Sequence, residues 1–318
     1  TYTRLMPNTP LTWWVFLGLL MLGSLWALTS GRNQLRRTLA RRWRIIVTVE
    51  VIFLVFFLMF LSMRAFDPAA RATEQPMDLM MLTTVTGTEY APPGDLWLAG
   101  EPVAYYYFGY WTYGGVNAMA GTGPAVAFNV GIALVAGMAA SVAASFVIML
   151  VRRDGASTKA SLLAGGASSV LLLLVSNLSG IWTLLDITRI APERLLNWYN
   201  GNEYERVGQI VTWRPDTLES GSGWWGFNSS RIINSWDASN GLDYTIQEFP
   251  FFSFLIGDLH PHLMSIPFLL TGITILTALF ITHRSISFVA LKRNVPATLI
   301  AAIVLGSSGF INFCDIGL

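Results

Sequence analysis

Long apolar runs alternate with polar segments along the chain, and their lengths are the first indication of its architecture. A helix needs roughly 18–20 consecutive apolar residues to cross a bilayer. Runs near or above that length occupy residues 11–30, 45–63, 125–151, 161–185, 263–282 and 296–310. We therefore predict an all-α, polytopic membrane protein with about six spans. At 105–121, tyrosine, tryptophan and glycine interrupt the apolar pattern, so we expect this segment to lie along the outer membrane interface or to dip in and return. The alternative is a short aromatic transmembrane helix, which would invert the topology of the later spans.

The charges are sorted by loop, which indicates the orientation of the spans. Residues 31–44 contain six arginines and no acidic residue, whereas most of the charged residues within 64–124 are acidic. Basic loops tend to stay in the cytoplasm, so we expect the acidic loops to lie outside. The predicted divisions are a hairpin with a basic cytoplasmic loop (1–63), a first exoplasmic loop (64–124), a second hairpin (125–185), a second exoplasmic loop (186–258) and a C-terminal hairpin (259–318).

Composition supports this class and excludes others. Hydrophobic residues make up 53% of the chain, and Cys314 is the single cysteine, so neither an internal disulfide nor a thiolate metal cluster can form. The sequence lacks a P-loop, a Rossmann glycine pattern, His-Glu-x-x-His and Gly-x-Ser-x-Gly. A soluble nucleotide-dependent enzyme is therefore not expected, nor is a nucleic-acid partner. The chain starts without Met, and we expect it to be a fragment of a longer protein.

The stretch 247–262 contains the densest candidate chemistry. Asp258, His260 and His262 lie within five positions, and Pro261 keeps the two histidines from sharing one regular helix. These groups could converge to bind a cation, a phosphate or a sugar. Glu248, in the same stretch, could join Asp258 in holding a divalent cation. The alternative is an interfacial aromatic anchor with solvated polar ends.

Two further features point to lipid-linked chemistry at the outer surface. Asp78 follows a span closely and should be held near the lipid headgroups, where a carboxylate could act as a base. Arg214 and Arg231 could hold a phosphate by paired hydrogen bonds. We expect Asp258 and at least one of the two histidines to lie near Asp78.

Several motifs resemble the YYY family of polytopic membrane proteins, known from Chloroflexi and archaea and named for a triple tyrosine. The matching segments are Glu74-Gln75-Pro76-Met77-Asp78, Pro92-Pro93-Gly94-Asp95-Leu96-Trp97-Leu98-Ala99-Gly100, Tyr105-Tyr106-Tyr107-Phe108-Gly109-Tyr110, Glu248-Phe249-Pro250-Phe251-Phe252-Ser253-Phe254, Gly257-Asp258-Leu259-His260-Pro261-His262 and Gly309-Phe310-Ile311-Asn312-Phe313-Cys314-Asp315. That family is similar to C-type glycosyltransferases, which use polyprenyl-phosphate sugars and carry a catalytic acid in the first exoplasmic loop. The resemblance implies a multi-pass protein of a bacterial or archaeal plasma membrane.

The resemblance favours an exoplasmic glycosyltransferase as the leading hypothesis. It implies Asp78 as the general base. The candidates for holding the lipid phosphate or sugar are Arg214, Arg231, His260, His262, Tyr106 and Tyr107, and Asp258 with Glu248 could bind the cation. The second hypothesis is a non-catalytic subunit of a larger membrane complex, in which the same motifs are structural corners. A transporter using Glu50 within the second span has the weakest support.

Overall fold

The computed structural model describes residues 7–71, 73–175, 185, 190, 192–195, 235–237, 240–243, 249–283 and 287–317. Ten α-helices are named here within that part of the chain: α1 (Pro10–Ser30), α2 (Arg32–Phe66), α3 (Gln75–Gly87), α4 (Phe108–Ala120), α5 (Pro124–Arg153), α6 (Thr158–Leu173), α7 (Pro250–Ile256), α8 (Pro261–His283), α9 (Phe288–Arg293) and α10 (Val295–Ile311). A 3₁₀ helix covers Phe313–Gly317. The described residues also include one antiparallel pair of short strands, β1 (Ser235–Asp237) and β2 (Asn240–Asp243), within the predicted second exoplasmic loop.

Four of the described helices are long and apolar enough to cross a membrane, namely α1, α2, α5 and α8. The apolar helices α6 and α10 are shorter, with 16 and 17 residues. The predicted membrane class and helical architecture are therefore confirmed, while a total of six spans stays a prediction. Helix α4 has 13 residues, about 20 Å at 1.5 Å per residue, which is short of a hydrocarbon core of roughly 30 Å.

One predicted boundary is wrong. The basic segment 31–44 was expected to be a loop, yet it forms the first turns of the 35-residue helix α2. Arginine, leucine, glutamine and alanine favour helix, and the helical path is interrupted at Gly31 alone between α1 and α2. Helix α6 ends at Leu173, whereas the predicted span runs to residue 185. Residues 176–184 lie outside the described part of the chain, so the predicted end of this span stays a prediction.

The chain divides into two compact units, one formed by Thr1–Ser169 with Gly257–Leu318 and the other by Val170–Ile256. In the first unit, α2 packs on α5 and α8 packs on both α5 and α10. Small residues permit this close approach, since a Cβ at Gly137 of α5 would lie 3.0 Å from the Phe53 ring of α2. The short helices α3 and α4 pack on each other and on α5, and they carry the polar residues considered next.

Candidate functional site

A buried carboxyl group at the start of α3 is the centre of the candidate site. Pro76 lies at the beginning of α3, where a missing N–H is tolerated, and Asp78 falls in the first turn. The Asp78 side chain has no exposed surface, and its Oδ1 accepts a short hydrogen bond from the hydroxyl of Tyr110 on α4. Burial and the Asp78 charge raise the pKa of Tyr110, so this phenol keeps its proton and acts as the donor.

The carboxyl group of Asp258, which is 5% exposed, lies beside that of Asp78 and interacts with it. Two carboxylates cannot hydrogen-bond to each other unless one of them carries a proton. Burial, the hydrogen bond with Asp258 and the charge of Asp258 together raise the pKa of Asp78 far above the usual range of a carboxyl group. At neutral pH Asp78 therefore keeps its proton and can donate it to the neighbouring Asp258. Asp78 Oδ2 and Asp258 Oδ1 are both buried and otherwise unpaired within the described residues.

A second polar group forms around His260, immediately before α8. Its Nε2 lies 2.9 Å from Glu74 Oε2 and 2.9 Å from the Tyr105 hydroxyl oxygen. Its Nδ1 lies 2.8 Å from His262 Nδ1. A proton on Nε2 can be shared by the two oxygens, and a neutral His260 then accepts the Nδ1 proton of His262. Glu74 is the accessible end of this series of hydrogen bonds, because its side chain is 59% exposed and that of His260 only 16%.

The Asp78 group and the His260 group are carried by the same two short stretches of the chain. Glu74 directly precedes α3, four positions before Asp78, and Asp258 lies two positions before His260. Tyr105 is close to both groups, since Glu74 and Asp78 each contribute to the raised pKa of its phenol, after burial and its hydrogen bond with Tyr106. Pro261 begins α8, and the backbone oxygen of His260 accepts from the N–H of Leu263 and Met264. The expectation that Pro261 separates the two histidines is confirmed.

Arg64, near the end of α2, fixes the turn that carries Asp258 and His260. Its Nε donates to Asn129 Oδ1 at 2.7 Å, and the side chain is 5% exposed. Its guanidinium lies directly against Gly257, where a Cβ would be 2.3 Å from Nη1. Gly257 also has a left-handed backbone, with φ of +74°. Only glycine satisfies both conditions without strain.

Gly257→Ala is expected to destabilise the protein by about 2–4 kcal/mol, combining the left-handed conformation with overlap against Arg64. Gly121→Ala is the matched control, because Gly121 has φ of +67° and open space around its Cβ direction. It should show the conformational cost alone. Thermal unfolding of both variants in the same detergent measures the difference, and equal losses would remove Arg64 from this role.

Beside the His260 group lies an apolar groove of about 450 Å³. Tyr106 stacks on Tyr105 with ring centroids 4.1 Å apart, so the groove begins one residue away from the polar site. Its wall is aromatic and comes from the triple-tyrosine segment and the end of α10. The lining residues are Tyr106, Tyr107, Phe108, Gly309, Phe310 and Phe313.

The sequence-predicted residues divide into three groups. The structure brings Asp78, Asp258, His260 and His262 into one region, as expected, and places Tyr106 and Tyr107 at the groove; their functional roles stay predictions. Arg214, Arg231 and Glu248 lie outside the described residues. Within the described residues, no group of three His, Cys, Asp or Glu side chains is arranged to hold a metal ion. Asp258, which was predicted as a cation ligand, lies beside Asp78 instead.

Sequence reasoning assigned no role to Glu74, Tyr105, Tyr110 or Arg64. Glu74, Tyr105 and Tyr110 stand inside motifs that the sequence singles out, so their presence in those motifs was the available signal. Arg64 ends an apolar span on the side where the acidic loop begins. A lone arginine at the outer end of a span departs from the positive-inside rule, and this departure could have marked it.

Comparison with known protein families gives a match over nearly the whole chain. A family model described as "Uncharacterized membrane protein (DUF2298)" matches residues 1–317. No curated protein and no solved structure matches the chain. These comparisons show neither the resemblance to the YYY family nor the similarity to glycosyltransferases, so both stay predictions from the sequence motifs.

Proposed function

The chain belongs to the DUF2298 family of membrane proteins, and on this premise we propose that it is a membrane glycosyltransferase. The donor is a polyprenyl-phosphate sugar, and the reaction takes place at the exoplasmic surface of a bacterial or archaeal plasma membrane. The observation that carries the proposal is an accessible carboxylate, Glu74, bound at 2.9 Å to His260. This pair is suited to proton transfer at a surface where a lipid phosphate would be presented.

Glu74 replaces Asp78 as the group proposed to act directly on the acceptor. The sequence favoured Asp78, but this side chain has no exposed surface, and its raised pKa keeps it from being an open base at neutral pH. Glu74 is mostly exposed and lies one helical turn earlier. Asp78, with Asp258 and Tyr110, becomes a positioning group that holds the start of α3 against the turn before α8.

The proposed reaction is a single displacement at the anomeric carbon. A lone pair of the acceptor hydroxyl oxygen forms the new C–O bond while Glu74 takes the hydroxyl proton. The bond between the anomeric carbon and the phosphate oxygen breaks, and its electron pair leaves with the lipid phosphate. His260 stabilises the carboxylate before transfer by donating its Nε2 proton. Burial and the neighbouring His260 lower the pKa of His262 to about 4, so the two histidines would aid the departing anion as hydrogen-bonding groups and His262 would not act as a cation.

The apolar groove supports a lipid-linked donor in this proposal. The groove starts at Tyr106, whose neighbour Tyr105 contacts His260. A polyprenyl chain in the groove would leave its phosphate near the histidines and its sugar near Glu74. Arg214 and Arg231, in the predicted second exoplasmic loop, remain proposed phosphate ligands. The predicted cation site of Asp258 with Glu248 is not part of this proposal, because Asp258 is buried against Asp78.

The alternative, a non-catalytic subunit, is favoured by one observation. None of the residues in the 18-residue apolar window of α1 is buried. Apart from its contacts with α4 and α2, such a helix could offer its surface to a partner helix as well as to lipid. In that case the polar site would only fix the corner between α3, α4 and α8.

The direct test is donor turnover by the purified protein in lipid nanodiscs. Polyprenyl-phosphate carrying a radiolabelled hexose is supplied from a panel of hexoses, with and without a membrane extract as the source of acceptor. We expect the label to leave the lipid fraction as lipid phosphate is released. Absence of turnover across the panel, together with stoichiometric co-purification of other membrane proteins, would favour the subunit instead.

A further inference from the structure

A second candidate site lies at the junction of α1 and α2, far from the acidic loops in sequence. The end of α1 and the first turns of α2 enclose a cleft of about 640 Å³. Gln34, Arg37, Thr38, Arg41 and Arg42 recur at spacings of three and four, so they lie on one face of α2. Thr29, Ser30, Gly31, Arg32 and Asn33 complete the lining.

The cleft combines concentrated positive charge with neutral hydrogen-bond donors. Arg32, Arg37, Arg41 and Arg42 line it, and each is exposed. The sequence contains no acidic residue from Gly31 to Val49, and none of the four arginines pairs with an acidic side chain in the part of the chain that the structure describes. Hydroxyl and amide groups of Thr29, Ser30, Asn33 and Thr38 stand beside them. Such a set suits phosphate oxygens.

Apolar surface adjoins the charged cleft on both helices. Trp26 and Leu25 on α1 are 73% and 57% exposed, and Trp43 and Leu39 on α2 are 56% and 45% exposed. Exposed apolar residues next to clustered arginines are typical of the boundary between headgroups and acyl chains. A soluble anion would use only the arginines, whereas a phospholipid would use both surfaces.

We propose that this cleft binds the headgroup of an anionic phospholipid in the cytoplasmic leaflet. The arginines hold the phosphate oxygens, and the acyl chains lie along the apolar faces of α1 and α2. The site is independent of the proposed transferase reaction, because it shares no residue with the Glu74–His260 group. Its function is to anchor the α1–α2 junction at the membrane surface.

The test compares two double variants with the same change in charge. R37Q/R41Q removes two arginines that line the cleft, whereas R36Q/R44Q removes two exposed arginines of the same helix that do not. Phosphatidylglycerol and phosphatidylcholine are titrated into detergent-solubilised protein, and binding is followed by native mass spectrometry. Each basic residue near an anionic surface contributes a factor of about five, so R37Q/R41Q should weaken phosphatidylglycerol binding by roughly 30-fold.

The control should keep its affinity to within about threefold, because charge outside the cleft acts only through the screened surface potential. Wild-type binding should prefer phosphatidylglycerol over phosphatidylcholine and weaken as salt is raised. Equal losses in the two double variants would show a diffuse surface effect and overturn the site. Equal binding of the two lipids would overturn the choice of an anionic headgroup.

Discussion

Glu74→Gln is expected to lower the rate of sugar transfer by about 10²–10⁴, the range found when a general acid or base is lost. The amide keeps the size of the side chain and can still accept a hydrogen bond from His260 Nε2, so the fold should be preserved. It cannot take a proton from an acceptor hydroxyl. The loss should therefore fall on kcat, with KM for the lipid donor little changed.

Glu89→Gln is the matched control for this variant. Glu89 is an exposed glutamate in the same predicted loop, just past the opposite end of α3. Its backbone oxygen accepts from Asn8 N, a contact that does not involve the replaced side chain. Transfer by Glu89→Gln should equal that of the wild type.

His260→Gln tests whether the two side chains act as a unit. If Glu74 depends on His260 for its position and for the hydrogen bond from Nε2, the double variant Glu74→Gln/His260→Gln should lose little more activity than either single variant. Full activity in Glu74→Gln, combined with a large loss in Asp78→Asn, would return the base to Asp78 and contradict the assignment made from exposure.

The sequence was sufficient for the parts of the structure that depend on local pattern. The apolar runs predict the helices α1, α2, α5 and α8, because a span must satisfy its backbone hydrogen bonds internally and shield them with apolar side chains. The start of α8 at Pro261 also follows from local chemistry, since proline suits the first turn of a helix and not its interior.

The pairings within the site depend on tertiary packing, so the sequence could not supply them. Tyr105 and His260 are separated by 155 positions, and Asp78 and Tyr110 by 32. Hydropathy indicated that Asp78 lies near the membrane but not that α4 and the turn at Gly257 enclose it completely. The exposure that separates Glu74 from Asp78 results from that enclosure. The choice of base consequently changed once the packing of α3 was known.

The shared proton between Asp78 and Asp258 predicts how stability depends on pH. The pKa of Asp78 is raised in the folded protein, so folding takes up one proton between the ordinary carboxyl pKa near 4 and the raised folded value. The stabilisation from this pair is fully present below the pKa that Asp78 has in the unfolded chain, and it is lost as pH rises toward the pKa that Asp78 has in the folded protein. The free energy of unfolding should fall by about 1.4 kcal/mol per pH unit across that window.

Asp78→Asn is expected to remove this dependence. The amide donates a hydrogen bond to Asp258 without needing a proton from solvent, and its oxygen can still accept from Tyr110. Unfolding midpoints measured from pH 5.5 to 8.5 should therefore decline less in the variant, and the variant should be the more stable protein at the alkaline end. The nearby Glu74 charge, which also raises the Asp78 pKa, is retained and does not confound the comparison.

Asp154→Asn provides the control, because Asp154 is exposed at the end of α5, outside the site. Its pH profile should run parallel to that of the wild type. Infrared spectroscopy gives an independent readout, since the carbonyl band of a protonated carboxyl group should be present in the wild type near neutral pH and absent in Asp78→Asn. Parallel pH profiles for wild type and Asp78→Asn, or an unchanged carbonyl band, would mean that the two carboxyl groups do not share a proton. Asp78 would then be available again as an ionised base, and the choice of Glu74 over Asp78 would rest only on the exposure of Glu74 and its contact with His260.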